Sequence, residues 1–319
     1  MNQATGNDAI GVVGAGLVGS GWAIVFARAG YPTRVFDRSA DQRALARDRI
    51  ATNLHDLEAS GLIDAALPIL ERIEIVDTLE AAITDVIYVQ ESVLERTDVK
   101  EALYQEIDQH IAAGIPVGSS SSGIPASAFT ADCTHREQYL VAHPVNPPYL
   151  VPVVELVPAP WTDPDIVDHV DALMHQVGQV PVRVQREVEG FILNRLQGAL
   201  LREAWALYEE GYATAADIDR TVSHGLGLRW AFMGPFETID LNAPGGVRDY
   251  AQRLGDLYLS IDRSRPEAEP WSENLIARVE AERREALPLD DLPARCAWRD
   301  RRLMALAAHK QRAAGSDDE

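Results

Sequence analysis

The stretch AIGVVGAGLVGSGWAIVFARAG, residues 9–30, leaves this chain little freedom in how it begins to fold. Residues 10–13 are a short apolar run suited to a buried strand, and residues 17–29 carry apolar side chains at helical spacing. Between them lies Gly14-Ala15-Gly16-Leu17-Val18-Gly19. In a strand-turn-helix setting each glycine has its own physical task. Gly14 makes the tight turn, Gly16 lets a pyrophosphate approach the backbone, and Gly19 lets the helix pack closely on the strand. The first helical turn, from Leu17 and Val18 on, then faces the pyrophosphate with free N–H groups and a positive dipole end. A second strand, TRVFD, ends in Asp37. That is the place, about 20 residues on, where an acid accepts hydrogen bonds from the adenosine ribose and repels a 2'-phosphate. The pattern therefore predicts NAD, with Arg38 beside Asp37 as the residue that would suit NADP. A glycine motif alone is weak; here the strand before, the helix after and the distant acid all agree.

Alternation of strand and helix continues to about residue 185. Helical residues over 40–70 are punctuated by Gly61 and Pro68, RIEIV and DVIYVQ read as strands, TDVKEALYQEIDQHI as a helix, and IPVGSSSSG closes in a serine tract. Such alternation predicts a doubly wound parallel sheet of Rossmann type. Ligands of these sheets bind beyond the carboxyl ends of the strands, which brings residues 91–95, 119–122 and His143 to one rim. A helix over 163–177 and a strand VPVRVQ complete a first domain, residues 1–187. Residues 188–319 are purely helical in pattern, so the chain reads as an α/β domain followed by an all-helical C-terminal domain. Its 319 residues suit two domains, because single cores rarely grow past about 250–300 residues. The segment EGFILNRLQGALLREAWALYEEG predicts a helix of about six turns, ended by Gly211, with further helices over 215–223, 246–260, 272–286 and 290–309. Asn194 falls in the first turns of the long helix, close to the domain boundary; an exposed helix asparagine is its plain alternative. The tail AAGSDDE is expected to lack fixed structure.

The second informative stretch is YLVAHPVNPPYLVPVVELV, residues 139–157. His143 stands where one apolar run ends, and Glu155 is a lone carboxylate inside another. An ionised group is costly to bury unless it is paired and hydrogen-bonded. A histidine is the partner that makes such a carboxylate useful, because the carboxylate fixes its tautomer and raises its basicity. His143 and Glu155 thus read as a base and its orienter, against the alternative of two unrelated polar residues at strand ends.

Charge and composition exclude other classes. A net charge of -20 is the wrong sign for a nucleic-acid or anionic-membrane partner. No run of about 18 apolar residues occurs, and the polar start MNQATGNDA lacks the regions of an export signal. Cys133 and Cys296 are the only cysteines, far apart, and no metal-ligand spacing is present, so no metal is expected and a cytoplasmic location is. Lys100 and Lys310 are the only lysines, which draws attention to Lys100 within the folded region.

Together these segments resemble the 3-hydroxyacyl-CoA dehydrogenase family, and within it the lambda-crystallin branch, whose enzymatic member is L-gulonate 3-dehydrogenase. The resemblance is carried by VVGAGLVGSGWA, the serine tract before Gly123, VAHPVNPPYLVPVVELVP, EGFILNRLQ, GLGLRWAFMGPFE and CAWRDRRLMALA. It implies that His143 is the catalytic histidine and Glu155 its carboxylate partner. It implies that Ser122 and Asn194 hydrogen-bond substrate and cofactor near the reacting carbon, that Glu95 and Lys100 contact the cofactor, and that the helical domain forms a homodimer. Acyl-CoA members resemble a shorter GxPMGPF where this chain reads GLGLRWAFMGPF, and the added Arg229 offers a planar fork for a free carboxylate. The absence of lysine between Asp37 and Lys100 also disfavours a CoA phosphate. A small free L-3-hydroxy acid is therefore the expected substrate, L-gulonate first. The alternatives are carnitine, with Trp230 and Phe236 as cage residues; a 3-hydroxyacyl-CoA; pairing of Arg229 with Glu237; and a non-enzymatic NAD-binding scaffold of the crystallin kind.

Overall fold

A computed structural model describes residues 8–265 and 269–317. Its sheet is built from β1 (Ala9–Val13), β2 (Thr33–Phe36), β3 (Ile73–Ile75), β4 (Val86–Glu91), β5 (Val117–Ser119), β6 (Tyr139–Pro144), β7 (Val153–Pro158) and β8 (Val180–Arg183). The eight strands lie in the order β3-β2-β1-β4-β5-β6-β7-β8. All neighbours are parallel except β6 and β7. Strand order reverses at β1, flanked by β2 and β4, and an open α/β sheet has its ligand crevice at such a reversal.

The apolar runs read as strands because both faces are covered. Ile10 and Val12 join one buried cluster, whereas Ala9 and Val13 join the other. The same alternation in β6 sends Leu140 and Ala142 to the first cluster and Tyr139 and Val141 to the second. It follows that His143, two residues past Val141, points to the second face, where Phe191 also lies.

Two helices flank the first crossover. Helix α1 (Leu17–Arg28) buries every residue from Gly19 to Ala27, with Trp22 stacked on Phe26 at 5.3 Å between ring centroids. Helix α2 (Ala40–Ala59) buries Ala46, Ile50, Leu54 and Leu57, the spacing of a helical stripe, and its N-cap Ser39 accepts from the Gln42 N–H. A capping bond is worth about 1 kcal/mol, against about 1.5–3 kcal/mol for each large apolar side chain fully buried. The stripe therefore fixes where α2 lies, and the cap only where it starts.

The structure departs from the sequence expectations at three helices. The helical pattern over 40–70 is interrupted: α2 ends at Ala59, Gly61 takes φ +74°, and a separate turn Leu67–Leu70 has proline in its first turn. The long helix expected over 189–211 is Leu193–Glu209, because Gly190 and Phe191 hold φ of 73° and 50°, which no right-handed helix tolerates. The last helix, Leu292–Asp317, carries the backbone of the tail through Asp317, where no fixed structure was expected. Residues 1–7, including most of the polar N-terminal stretch, and residues 318–319 lie outside the described residues.

Two compact units result. One runs to Leu196 and resumes at Arg295; the other is Gln197–Ala294. The end of the C-terminal helix thus belongs with the sheet and not with the helical segment expected over 188–319. Met304, 2% exposed, sits in the first buried cluster with Leu303 packed against it.

Candidate active site

The turn after β1 is shaped by what it cannot contain. Gly14 holds φ +104°, and a Cβ there would lie 2.4 Å from the Ser92 carbonyl oxygen. A Cβ on Gly19 would lie 1.7 Å from the Gly14 oxygen, so the first turn of α1 is pressed directly onto the loop. Gly16 is different: nothing lies within 4 Å of a Cβ built there. Gly16 is also the N-cap of α1 and supplies no side-chain cap, leaving the first-turn donors of Leu17, Val18 and Gly19 to a ligand. Asp37, half-buried at the end of β2, accepts from the Ala15 N–H at 2.8 Å and from the Ser39 N–H at 2.8 Å. Arg38, exposed beside it, forms an ion pair with Glu106. An open glycine face, a bare helix N-terminus and an acid after the second strand fit a dinucleotide lacking the extra phosphate.

At the ends of β4 and β5 one carboxylate oxygen gathers the serine tract. Glu95 Oε1 accepts from Ser121 Oγ at 2.7 Å and from the N–H groups of Ser122 at 2.9 Å and Gly123 at 3.1 Å. Glu95 is exposed and fixes the loop that presents Ser122. Lys100, expected among the cofactor contacts, is instead completely buried. Its Nζ donates to Glu91 Oε1 and Oε2 at 2.8 and 2.9 Å and to Ser119 Oγ at 3.3 Å, at 0% exposure. With no surface left to meet a ligand, Lys100 acts through Glu91, which also receives the Val93 N–H at 2.7 Å and the Ser119 hydroxyl at 2.5 Å. The pair ties together the strand ends that carry the loops at residues 92–95 and 120–124.

The antiparallel register of β6 and β7 sets His143 directly opposite Glu155. His143 Nδ1 lies 2.8 Å from Glu155 Oε2, and the residues are 5% and 2% exposed. The other carboxylate oxygen accepts from the N–H groups of Ile192 and Leu193 at 2.8 and 2.9 Å, which open the helix Leu193–Glu209. Burial pushes the Glu155 carboxyl up, but the His143 and backbone hydrogen bonds outweigh it and hold it below the usual range. Glu155 is thus ionised at neutral pH, and its charge explains how the helix can start so abruptly after Phe191. The next residue, Asn194, donates from Nδ2 to the Ser122 carbonyl at 2.6 Å. Hydrogen bonds therefore connect His143, Glu155, the helix start with Asn194, Ser122 and Glu95 in one continuous chain.

Arg229 lies in the second unit, on the short helix Gly227–Trp230 that follows a π-helical turn, Val222–Leu226. It is exposed, and its guanidinium has no ion-pair partner among the described residues, so pairing with Glu237 is not formed. Sequence reasoning missed the Ile192 and Leu193 amides, because backbone donors leave no mark in side-chain pattern. It also missed Glu91 as the partner of Lys100: Glu155 was singled out as a lone carboxylate inside an apolar run, whereas Glu91 stands at the end of one, in VIYVQE.

Comparisons with known proteins place the chain in a family. The NAD binding domain of 3-hydroxyacyl-CoA dehydrogenase is matched over residues 9–188, and the C-terminal domain of that enzyme over residues 190–286. The lambda-crystallin homolog of Bos taurus is 41% identical over 306 residues, covering 94% of this chain and 95% of the relative. L-carnitine dehydrogenase of Burkholderia mallei is 36% identical over 280 residues, covering 88% and 86%. Among solved structures, 5-formyl-3-hydroxy-2-methylpyridine 4-carboxylic acid 5-dehydrogenase, an NAD+ dependent dismutase, superposes with a TM-score of 0.81 at 26% identity, covering 93% of this chain and 96% of that one.

Proposed function

The chain belongs to the 3-hydroxyacyl-CoA dehydrogenase family and is an NAD-dependent dehydrogenase, and on that premise we propose that it oxidises the 3-hydroxyl of a small free L-3-hydroxy acid, L-gulonate being the first candidate. The observation that carries the catalytic assignment is the buried His143–Glu155 pair, anchored on its far side by two backbone donors. With an ionised carboxylate at Nδ1, the neutral imidazole keeps its proton on Nδ1 and its lone pair on Nε2. In this assignment Nε2 takes the substrate hydroxyl proton on oxidation and returns it on reduction, while Glu155 stabilises the imidazolium formed between. Bound NAD supplies the hydride acceptor. Gly16, Leu17, Val18 and Gly19 would hold its pyrophosphate and Asp37 its ribose. Ser122 and Asn194 would hold the substrate oxygen as it becomes a carbonyl, the Ser122 loop being set by Glu95.

Arg229 supports a free carboxylate as the substrate class, because an unpaired guanidinium is suited to bidentate recognition and a thioester offers it no charge. Carnitine is the second reading. Trp230 and Phe236 are not core residues: they are 42% and 79% exposed in the same unit as Arg229, as members of a cage for a quaternary ammonium would be. Measuring NADH formation with L-gulonate, L-carnitine, L-3-hydroxybutyrate and a 3-hydroxyacyl-CoA separates these substrates. We expect a free acid to be turned over fastest and Arg229→Met to raise its KM by about 2–5 kcal/mol of lost binding, with Arg229→Lys recovering part. A thioester that outperforms every free acid and is indifferent to Arg229→Met would overturn the substrate class. No turnover of any hydroxy acid would leave the scaffold reading.

A homodimer fits the second unit. Its helix Gly246–Arg263 buries none of its 18 residues and exposes Leu257, Tyr258 and Ile261 by 42–53%, an apolar face that a second copy would cover. Sedimentation at micromolar concentration tests it, a monomer being the contrary result. Both cysteines are free and Cys296 is exposed, which suits the reducing cytoplasm. Among the described residues no helix is long and apolar enough to cross a membrane.

A further inference from the structure

Three arginines near the glycine turn differ in how their charge is met. Arg38 is paired with Glu106, and Arg43 lies 3.4 Å from Asp77. Arg49, half-buried on α2, has no carboxylate partner among the described residues. Its Nη1 donates to the Ala15 carbonyl at 2.7 Å and lies 3.2 Å from Ser20 Oγ. Ala15 is inside the glycine turn, and its own N–H is held by Asp37. A full positive charge therefore stands at the bare N-terminus of α1, which itself carries about half a positive charge. The two positive charges repel one another, and Asp37, the carboxylate at this turn, is engaged with the Ala15 and Ser39 N–H groups and makes no ion pair with Arg49. A purely structural clamp on the Ala15 oxygen would not need a cation, since the neutral Ser20 hydroxyl already donates to that oxygen at 3.1 Å.

We propose that Arg49 is a cofactor-anchoring residue, supplying the cation that meets the pyrophosphate of NAD at the glycine turn. This rests on the assignment of that turn as the NAD site. The diphosphate turns the unfavourable pairing of Arg49 and helix terminus into a favourable one, and the open side of Gly16 leaves it room. Sequence reading passed over Arg49 because it stands among Arg43 and Arg47 on an ordinary polar helix.

The test compares ligands that do and do not carry the diphosphate. Calorimetric titration with ADP and with adenosine, and fluorescence titration with NADH, are run on wild type, Arg49→Met and Arg49→Gln. Both variants should bind ADP and NADH about tenfold or more weakly, leave adenosine affinity unchanged, and flatten the dependence of ADP binding on ionic strength. Arg49→Gln keeps a donor for the Ala15 oxygen, so it remains informative where Arg49→Met is poorly folded. Equal weakening of ADP and adenosine would show a structural clamp only and overturn the proposal, as would wild-type ADP affinity in Arg49→Gln. A wild type that binds neither NADH nor ADP would instead fail at the underlying assignment.

Discussion

The turn after β1 and the His143–Glu155 pair of β6 and β7 stand at the carboxyl-end rim of β1 and β6 in one sheet and make their ligand surfaces by opposite means. The turn works by omission. Gly14 and Gly19 have no room for a Cβ, Gly16 has room that nothing fills, and the donors offered are backbone N–H groups that neither titrate nor change rotamer. The β6–β7 pair works by burial. It withdraws a histidine and a carboxylate almost fully from water and gives both oxygens of the carboxylate hydrogen-bond partners, which offset the desolvation cost. The fold of the turn should therefore be sensitive to the size of what replaces its glycines and insensitive to pH, whereas the fold at the pair should be sensitive to charge and to pH.

The largest effect is expected at the pair. His143→Gln should lower kcat by about 10² to 10⁴ with NADH binding retained. Glu155→Gln should act in the same direction, and because both act through one imidazole, the double variant should cost much less than the product of the singles. Full multiplicativity in that cycle would mean that Glu155 serves the helix start alone. Next comes Asp37→Ser, which removes a carboxylate from the ribose position and should narrow the preference for NAD over NADP by about 1.5–3 kcal/mol. An NADP kcat/KM already equal to that for NAD in wild type would remove the role given to Asp37.

A smaller effect sharpens the size rule. Gly19→Ala places a methyl into the Gly14 carbonyl and should destabilise the fold by about 1–3 kcal/mol as well as weaken NADH. Gly16→Ala should leave the melting temperature nearly unchanged and weaken NADH alone, since its methyl meets only the ligand. Equal loss of stability in both would show that Gly16 is constrained by the protein and not by the cofactor.

The same contrast explains what could be read in the sequence. The turn was legible because omission is visible as glycine at fixed spacing, and the pair because a carboxylate inside the apolar run VPVVELV calls for a partner. The start of the helix at Leu193 was not, since Phe191 holds φ 50° without being glycine, and the charge that stabilises the break comes from a residue 37 positions earlier. Lys100 misled for a related reason. A single lysine in an arginine-rich chain looks like a ligand contact, but its buried partner Glu91 stood in the preceding strand. The return of the last helix to the sheet was likewise silent, because Leu303 and Met304 are two apolar residues in a polar run with no local sign of what they pack against.

The smallest effect concerns acid, and it distinguishes the two regions by pH alone. The Glu155 carboxyl is held below its ordinary value of 4.5 in the folded protein, so it contributes stability that is fully present above that value and is lost as pH falls through the depressed one. Asp108 behaves alike: burial pushes it up, but hydrogen bonds from His135, Thr134 and Tyr139 hold it below its ordinary 3.8, so acid unfolding of the wild type sums several carboxylates. The difference between wild type and Glu155→Gln isolates the one at the site. Melting temperatures of the two proteins should lie furthest apart at neutral pH and converge as the solution is acidified below about pH 4.5, because the wild type then loses the charge that the variant never had. Gly16→Ala should show no such convergence, its melting curve tracking wild type throughout. A gap between wild type and Glu155→Gln that stayed constant into acid would mean that the carboxylate contributes by shape and not by charge, and the division between the two regions would fail at the pair.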